Sequence, residues 1–178
     1  IDMSARTSNT MTLATTNAPT VHGNWINGTG VILGTGSGAL TFAGRVTQTI
    51  TSANRPFRNN IAISNIGASV VLQDNFISGY DSLNAGIVLN NGTLNANGYS
   101  VFVSGSTSGF ISSNSNVRTI ALGTGTWTVS GSSGWSTGTS TNLTVTGSGT
   151  ISMAAQAAKT FAGGNILTYP VLDQGGPG

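Results

Sequence analysis

Few side chains in this sequence are able to donate or accept protons at neutral pH. The 178 residues contain no Glu and no Cys; the only side-chain carboxylates are Asp2, Asp74, Asp81 and Asp173, and the only histidine is His22. Hydrolysis of a glycosidic bond normally requires two carboxyl groups about 5–10 Å apart. Asp74 and Asp81 are the only pair close in sequence, and both stand among turn-forming residues. We therefore interpret them as turn residues at strand ends and predict no catalytic residues.

A serine-type hydrolase would have to use His22, which lies in a segment typical of a strand edge. The nucleophile of such enzymes often occupies a Gly-x-Ser-x-Gly turn between a strand and a helix. The nearest run, Gly105–Gly109, carries Thr107 at its centre, and no helical pattern follows it. One histidine and scattered aspartates also lack the converging spacing of metal ligands. We expect no nucleophilic site, no metal and no cofactor.

The charge content of the chain is low. Charged residues make up 6% of the sequence, and the formal net charge is +2 at pH 7. Arg45, Arg55 and Arg58 come nearest to a basic cluster, but they lack the interleaved aromatic residues of a nucleic-acid footprint. No stretch approaches the roughly 20 apolar residues of a membrane-spanning helix. We expect neither nucleic-acid binding nor membrane insertion.

Aromatic side chains are the better candidates for ligand contacts, because sugar rings stack on them. Trp135 lies in a run of Ser, Gly and Thr residues, which predicts an exposed indole, and it is the first candidate for a carbohydrate contact. Tyr80, in a turn-forming segment, is the second candidate. Trp25 is the third, and the sequence leaves open whether it is a core residue or a ligand contact. A tryptophan that closes one end of a small core explains Trp135 equally well. Trp127 lies in an alternating apolar run and is predicted to be buried.

Alternation of apolar and hydroxyl-bearing residues is the main structural signal. Runs of about five to seven residues alternate in this way and end at Gly, Asn or Ser, which form turns. The pattern predicts an all-β fold in one segment, 1–178. We expect a β-solenoid, in which successive coils stack through their strands, and the alternative is a β-sandwich or jelly roll. The residues that we expect to point into one continuous core include Leu40, Phe42, Ile61, Ile63, Val101, Val103, Leu143 and Val145.

Helical signals are weak, whereas imperfect repeats are present. The segment 151–159 has the highest helix propensity, but its alternation predicts a strand and a turn, with a short helix as the alternative. The unit Val-Ser-Gly-Ser begins at Val103 and Val129, and Thr-Phe-Ala-Gly begins at Thr41 and Thr160. A near copy of the first unit, Val-Thr-Gly-Ser, begins at Val145. The offsets between Val103, Val129 and Val145 are 26 and 16 residues, and this irregularity indicates coils of roughly 20 residues with variable turns. Thr-x-Thr runs at Thr124, Thr126 and Thr128 and at Thr144 and Thr146 are typical of ice-binding faces, but irregular coils predict no regular lattice.

Several longer strings resemble a known class of proteins. The segments 12–20, 44–52, 92–98 and 158–164 are similar in style to Gly/Ser/Thr/Asn-rich bacteriophage tail-fibre and tail-appendage proteins, and also to bacterial β-solenoid surface adhesins. The resemblance implies a stiff shaft or adhesin on a virion or otherwise outside the cell. It implies no catalytic residues, because these strings define turns. The partners it implies are other virion or fibre proteins and host surface polysaccharide.

The function that we expect is therefore a structural, non-enzymatic segment of a phage tail fibre or virion appendage that takes part in host attachment. A bacterial cell-surface adhesin or extracellular matrix-fibre protein is the alternative, and a polysaccharide depolymerase is the third hypothesis. We also expect the chain to continue beyond Ile1 and Gly178 and to lie beside identical copies. The reasons are that solenoid ends expose unpaired strand edges and that so few charges repel neighbouring copies weakly.

Overall fold

The regular secondary structure in the described part of the chain is β-strand, mostly in short strands, and that part contains no helix. The structure is a computed structural model and describes residues 1–8, 11–13, 18–33, 38–79, 86–105, 107, 109–153, 158–165 and 168–175. The strands are β1 (Met11–Leu13), β2 (Thr20–Val21), β3 (Trp25–Ile26), β4 (Val31–Leu33), β5 (Leu40–Phe42), β6 (Gln48–Thr51), β7 (Ile61–Leu72), β8 (Phe76–Ser78), β9 (Ile87–Asn95), β10 (Val101–Val103), β11 (Gly109–Ile111), β12 (Arg118–Ala121), β13 (Thr126–Val129), β14 (Gly134–Ser136), β15 (Leu143–Thr146), β16 (Thr150–Ser152), β17 (Phe161–Ala162) and β18 (Val171–Asp173). Across these ranges, the search for a helix with the length and hydropathy of a membrane span finds none.

Apart from β1 and β4, which pair with each other, the strands stack in three columns, and all the strand pairings are parallel. Column 1 runs β2–β5–β7–β9–β11–β14–β17, and column 3 runs β8–β10–β13–β16–β18. Column 2 runs β3–β6–β7–β9–β12–β15, where the long strands β7 and β9 belong to both of the first two columns. The chain passes through columns 1, 2 and 3 in turn, so each pass forms one coil. The prediction of a β-solenoid is confirmed, and the sandwich alternative is wrong.

Turns of different length absorb the irregular spacing of the sequence. Met11 pairs with Val31, 20 residues later, whereas Val101 pairs with Trp127, 26 residues later. The strands nevertheless stay in register, because each coil contacts chiefly the coils on either side of it. The Val-Ser-Gly-Ser units are equivalent in space, since Val103 pairs directly with Val129.

Alternate residues of the strands point into one narrow interior. Of the eight residues predicted to share a core, seven are buried, and Val145 is half-buried and packed against them. Between them, Thr144 is exposed and Thr41 is partly exposed. This arrangement follows from the two-residue period of a strand, which sends successive side chains to opposite faces. The predicted continuous core is confirmed, and so is the burial of Trp127.

The segment 151–159 starts as the alternation predicted. Ile151 and Ser152 belong to β16, which pairs with β13 on one side and with β18 on the other. Ile151 and Met153 are both buried. Residues 154–157 lie outside the described part of the chain, so the predicted turn and the alternative short helix are not decided there.

Candidate functional site

Trp135 lies in the core, and the prediction that its indole is exposed is wrong. Its side chain is 0% exposed and stacks on Phe110, with the ring centroids 4.3 Å apart. Phe110, Trp135 and Phe161 occupy paired positions of β11, β14 and β17, so their rings follow one another along column 1. The indole Nε1–H donates to the hydroxyl of Tyr169 at 3.2 Å. A ring enclosed in this way offers no face to a sugar.

Trp25 is also buried and is wrong as a surface contact. It packs edge-on against Phe42, at a centroid distance of 6.3 Å, and its Nε1–H donates to Asn27 Oδ1 at 2.8 Å. Both neighbours are themselves buried, so the indole is held inside the solenoid. Tyr80, the remaining candidate for a carbohydrate contact, lies outside the described residues.

Asp74 has a structural environment. Its two carboxylate oxygens accept hydrogen bonds from the main-chain N–H groups of Ser52, at 2.8 Å, and Ala53, at 2.6 Å. These donors belong to the preceding coil, where Ala53 has a φ of 53°. The carboxylate therefore holds a strained turn in place, which agrees with its interpretation as a turn residue. Asp81 lies outside the described residues.

In the described structure, the hydrogen-bond partner given for His22 is a main-chain carbonyl group rather than a nucleophile or a carboxylate. It is exposed, and its Nδ1 lies 3.2 Å from the carbonyl oxygen of Ala43. Among the residues with described positions, no group of three or more His or Asp side chains converges as metal ligands would.

The described structure has a concave site on the outer side of column 3. We call it the arginine groove, and it is lined by β4, by residues 54–56, and by Arg58 and Ile77. Its volume of about 380 Å³ falls within the range typical of small-molecule pockets. It lies beside β4, at the point where β1 and β4 form a separate two-stranded sheet. The groove is the gap between that sheet and the segment 54–58, which lies beside β8 of column 3.

Pro56 gives a physical reason for the gap. The N–H of Phe57 donates to Ile77 O, and the carbonyl of Phe57 accepts from Gly79 N–H, both at 2.8 Å. Both main-chain groups of Phe57 therefore point toward β8, so the adjacent Pro56 is directed to the other side, toward β4. Proline has no N–H and is confined to the edges of sheets. The ladder is interrupted at this point, and a groove opens.

The arginine groove is electropositive. Arg55 and Arg58 both line it, and none of its described lining residues is acidic. The Nε of Arg55 is shielded from water and has no hydrogen-bond partner. Buried polar atoms in folded proteins usually have a partner, so this donor is an unusual feature. The sequence already placed Arg55 and Arg58 close together, but it did not indicate that they line a groove.

An apolar strip adjoins the groove on the outer face of column 3. Ile32 and Ile77 line the groove itself, and Phe102 pairs with Ile77 on the next coil. The Phe102 side chain is 46% exposed between the buried Val101 and Val103. The sequence analysis overlooked Phe102. Phe102 lies between two valines that point inward, and side chains alternate along a strand. This alternation is the sequence signal that would have identified its ring as pointing outward.

The outer face of column 2 carries one regular row of hydroxyl groups. Ser69, Thr93, Thr119 and Thr144 occupy paired positions on successive coils. The neighbouring row is mixed, because its paired members are Val71, Asn95, Ala121 and Thr146. A two-row hydroxyl lattice of the ice-binding type is therefore broken by residue identity rather than by irregular coil length.

No protein-family model, no curated protein and no solved structure matches this chain.

Proposed function

We propose that this chain is a structural, non-enzymatic shaft segment of a phage tail fibre or related virion appendage, located on the virion, and that it takes part in host attachment. The observation that carries the proposal is the parallel stack of coils. A column such as β8–β10–β13–β16–β18 joins each coil to the next through main-chain hydrogen bonds. The style of the sequence, which resembles tail-fibre proteins, supports the virion as the location.

Side chains also tie the coils together, which suits a stiff shaft. Asn97 Nδ2 donates to Leu72 O at 3.2 Å, and Asn116 Nδ2 donates to Asn90 O at 3.0 Å. Each bond joins residues about one coil apart, 25 and 26 positions in these two cases. Bending the stack would break such bonds, and each contributes about 1 kcal/mol.

The location is tested by immunogold electron microscopy with an antibody against the purified chain. Intact particles and host cells from the same source are labelled in parallel. We expect gold along a tail appendage and slower adsorption of antibody-treated particles. Gold on the cell surface, together with particles that carry no gold, would contradict the proposal and favour the adhesin alternative.

The non-enzymatic role is tested with Asp74→Asn combined with Asp81→Asn. We expect the unmodified chain to release no sugar from host polysaccharide and the double variant to retain attachment. Asparagine keeps only one acceptor oxygen, so losing one of the two bonds at Asp74 should cost about 1–2 kcal/mol. The double variant Asp2→Asn with Asp173→Asn, which removes the same number of negative charges, is the charge-matched control. Sugar release that disappears in the double variant but persists in the control would contradict the proposal.

A further inference from the structure

The arginine groove combines cationic side chains, which bind anions, with apolar side chains, which pack against an apolar part of a ligand. Its arginines supply planar guanidinium groups, which match carboxylates in a bidentate manner. Its walls include Ile32 and Ile77, whose apolar side chains would cover the apolar part of a ligand. A ligand that fits both features carries a carboxylate and a face of C–H groups. A uronic acid ring has both.

Arg55 is the residue best placed to hold the carboxylate. Its Nε lacks a partner, and the Nε edge of a guanidinium is one of the edges that bind carboxylates in pairs of hydrogen bonds. A small rotation of the side chain toward the groove would bring this edge to the ligand and satisfy the unpaired donor. Leaving a buried donor unpaired is unfavourable, so binding would remove a cost present in the free protein.

Phe102 extends the site along the solenoid. It lies one coil beyond Ile77, and adjacent strands are about 4.8 Å apart. Its exposed ring offers a flat apolar surface next to the groove. A ligand longer than one ring would therefore run along column 3, parallel to the axis of the stack.

We infer that the outer face of column 3 binds an acidic polysaccharide, with one sugar carboxylate held by Arg55 in the arginine groove and the next ring packed on Phe102. The inference deepens the proposed attachment role and names the chemical class of the ligand. It is tested separately from that role. Loss of saccharide binding would leave the shaft function standing, and a different cellular location would leave the groove unchanged.

The test is isothermal titration calorimetry of the whole chain with short oligogalacturonate and oligoglucuronate. The methyl ester of oligogalacturonate is the neutral control, and inorganic sulfate is the control for simple anions. We expect at least one acidic oligosaccharide to bind, and the methyl ester and sulfate to bind at least tenfold more weakly. Binding of neither acidic probe, or equal binding of the ester or of sulfate, would overturn the inference.

Two matched pairs of variants locate the site. Arg55→Gln should weaken binding about 10- to 100-fold, the range for losing a charge-assisted hydrogen bond, whereas Arg45→Gln changes the charge equally and should have little effect. Phe102→Ala should weaken binding about 2- to 10-fold. Ile111→Ala removes a similarly exposed apolar side chain from column 1 and should have little effect on binding. All four changes are at side chains that are at least partly exposed. Equal losses within either pair would refute the assignment.

Discussion

At the scale of single residues, Arg118 is the most unusual side chain in the described structure. It is 1% exposed, yet all its hydrogen-bond partners among the described residues are carbonyl or hydroxyl oxygens. Its guanidinium donates to the carbonyl oxygens of Ser112, Asn116, Thr139 and Thr141 and to Ser112 Oγ. Burial lowers the pKa of Arg118, because removal from water disfavours the charge. The guanidinium nevertheless stays protonated and binds main-chain oxygens of two successive coils together.

Replacing Arg118 should therefore destabilise the protein strongly. Arg118→Met leaves several carbonyl oxygens without donors, and we expect a loss of about 3–5 kcal/mol in the free energy of unfolding. Arg45→Met, at an exposed position, should change it by about 0.5 kcal/mol or less. Urea unfolding followed by circular dichroism measures both. Similar losses in the two variants would show that the buried network contributes little.

Tyr169 predicts how stability depends on alkaline pH. Burial raises its pKa above the ordinary value of 10.0, against the opposing effect of hydrogen bonds with Thr137 and Trp135. The folded protein thus keeps the phenol neutral where the unfolded chain ionises. Stability is fully present below pH 10 and falls as the pH rises toward the raised pKa of the folded state.

The comparison with Tyr169→Phe isolates this effect, because other titrating groups are common to both proteins. We expect the unmodified protein to lose stability more steeply than the variant above pH 10. Urea unfolding at several alkaline pH values gives the two slopes. Parallel slopes would show that Tyr169 has the same pKa in both states.

At the scale of structural elements, glycines permit the two long strands to turn from column 1 into column 2. Gly67 in β7 and Gly92 in β9 have φ values of 70° and 75°. Their surroundings differ, however. A Cβ atom on Gly92 would lie 1.9 Å from Asn65 O, whereas one on Gly67 would meet nothing within 4 Å. Gly92 is therefore required for two reasons: its φ is positive, and the neighbouring coil lies too close to leave room for a Cβ atom.

Three alanine variants separate these two roles. Gly23→Ala meets no neighbour and should change stability by about 0.5 kcal/mol or less. Gly67→Ala should cost about 1–2 kcal/mol for its backbone angle alone. Gly92→Ala adds a clash with the main chain and should cost about 3 kcal/mol or more. The free energies of unfolding in urea give the order, and a Gly92 variant no worse than the Gly67 variant would contradict the structure.

At the scale of the whole molecule, a solenoid behaves as a nearly one-dimensional stack. Interactions run chiefly between neighbouring coils, so stability is a sum of coil terms and interface terms. Ile63 and Leu89 are buried at paired positions of adjacent coils, whereas Ile151 lies in a distant coil. Energetic coupling should therefore decline with separation along the stack.

A pair of double-mutant cycles measures this decline. Ile63→Val combined with Leu89→Ala should show a coupling energy of about 0.5 kcal/mol or more, because the side chains are neighbours. Ile151→Val combined with Leu89→Ala should be additive within about 0.5 kcal/mol. Unfolding in urea, with unchanged m-values as the check on two-state behaviour, gives both numbers. Equal coupling in the two cycles would indicate one cooperative unit rather than a stack.

Much of the architecture followed from local features of the sequence. Alternation such as that of Leu40 and Phe42 specifies an inward and an outward face whatever the strand pairs with. Glycine and asparagine mark turns for equally local reasons. The strands, the stacked coils and the core were therefore predictable, and so was the structural role of Asp74.

Only the tertiary structure decided what the residues outside the alternating pattern contact. Trp135 stands in a polar run, yet it is buried because Phe110 and Phe161 stack on it from the adjacent coils. Arg118 binds carbonyl groups of the next coil, at Thr139 and Thr141, as well as of its own. The arginine groove exists because Pro56 interrupts a pairing between coils. These partners lie about one coil away in sequence. Local patterns determine which way a side chain points, whereas the turn lengths and register of neighbouring coils determine what it meets.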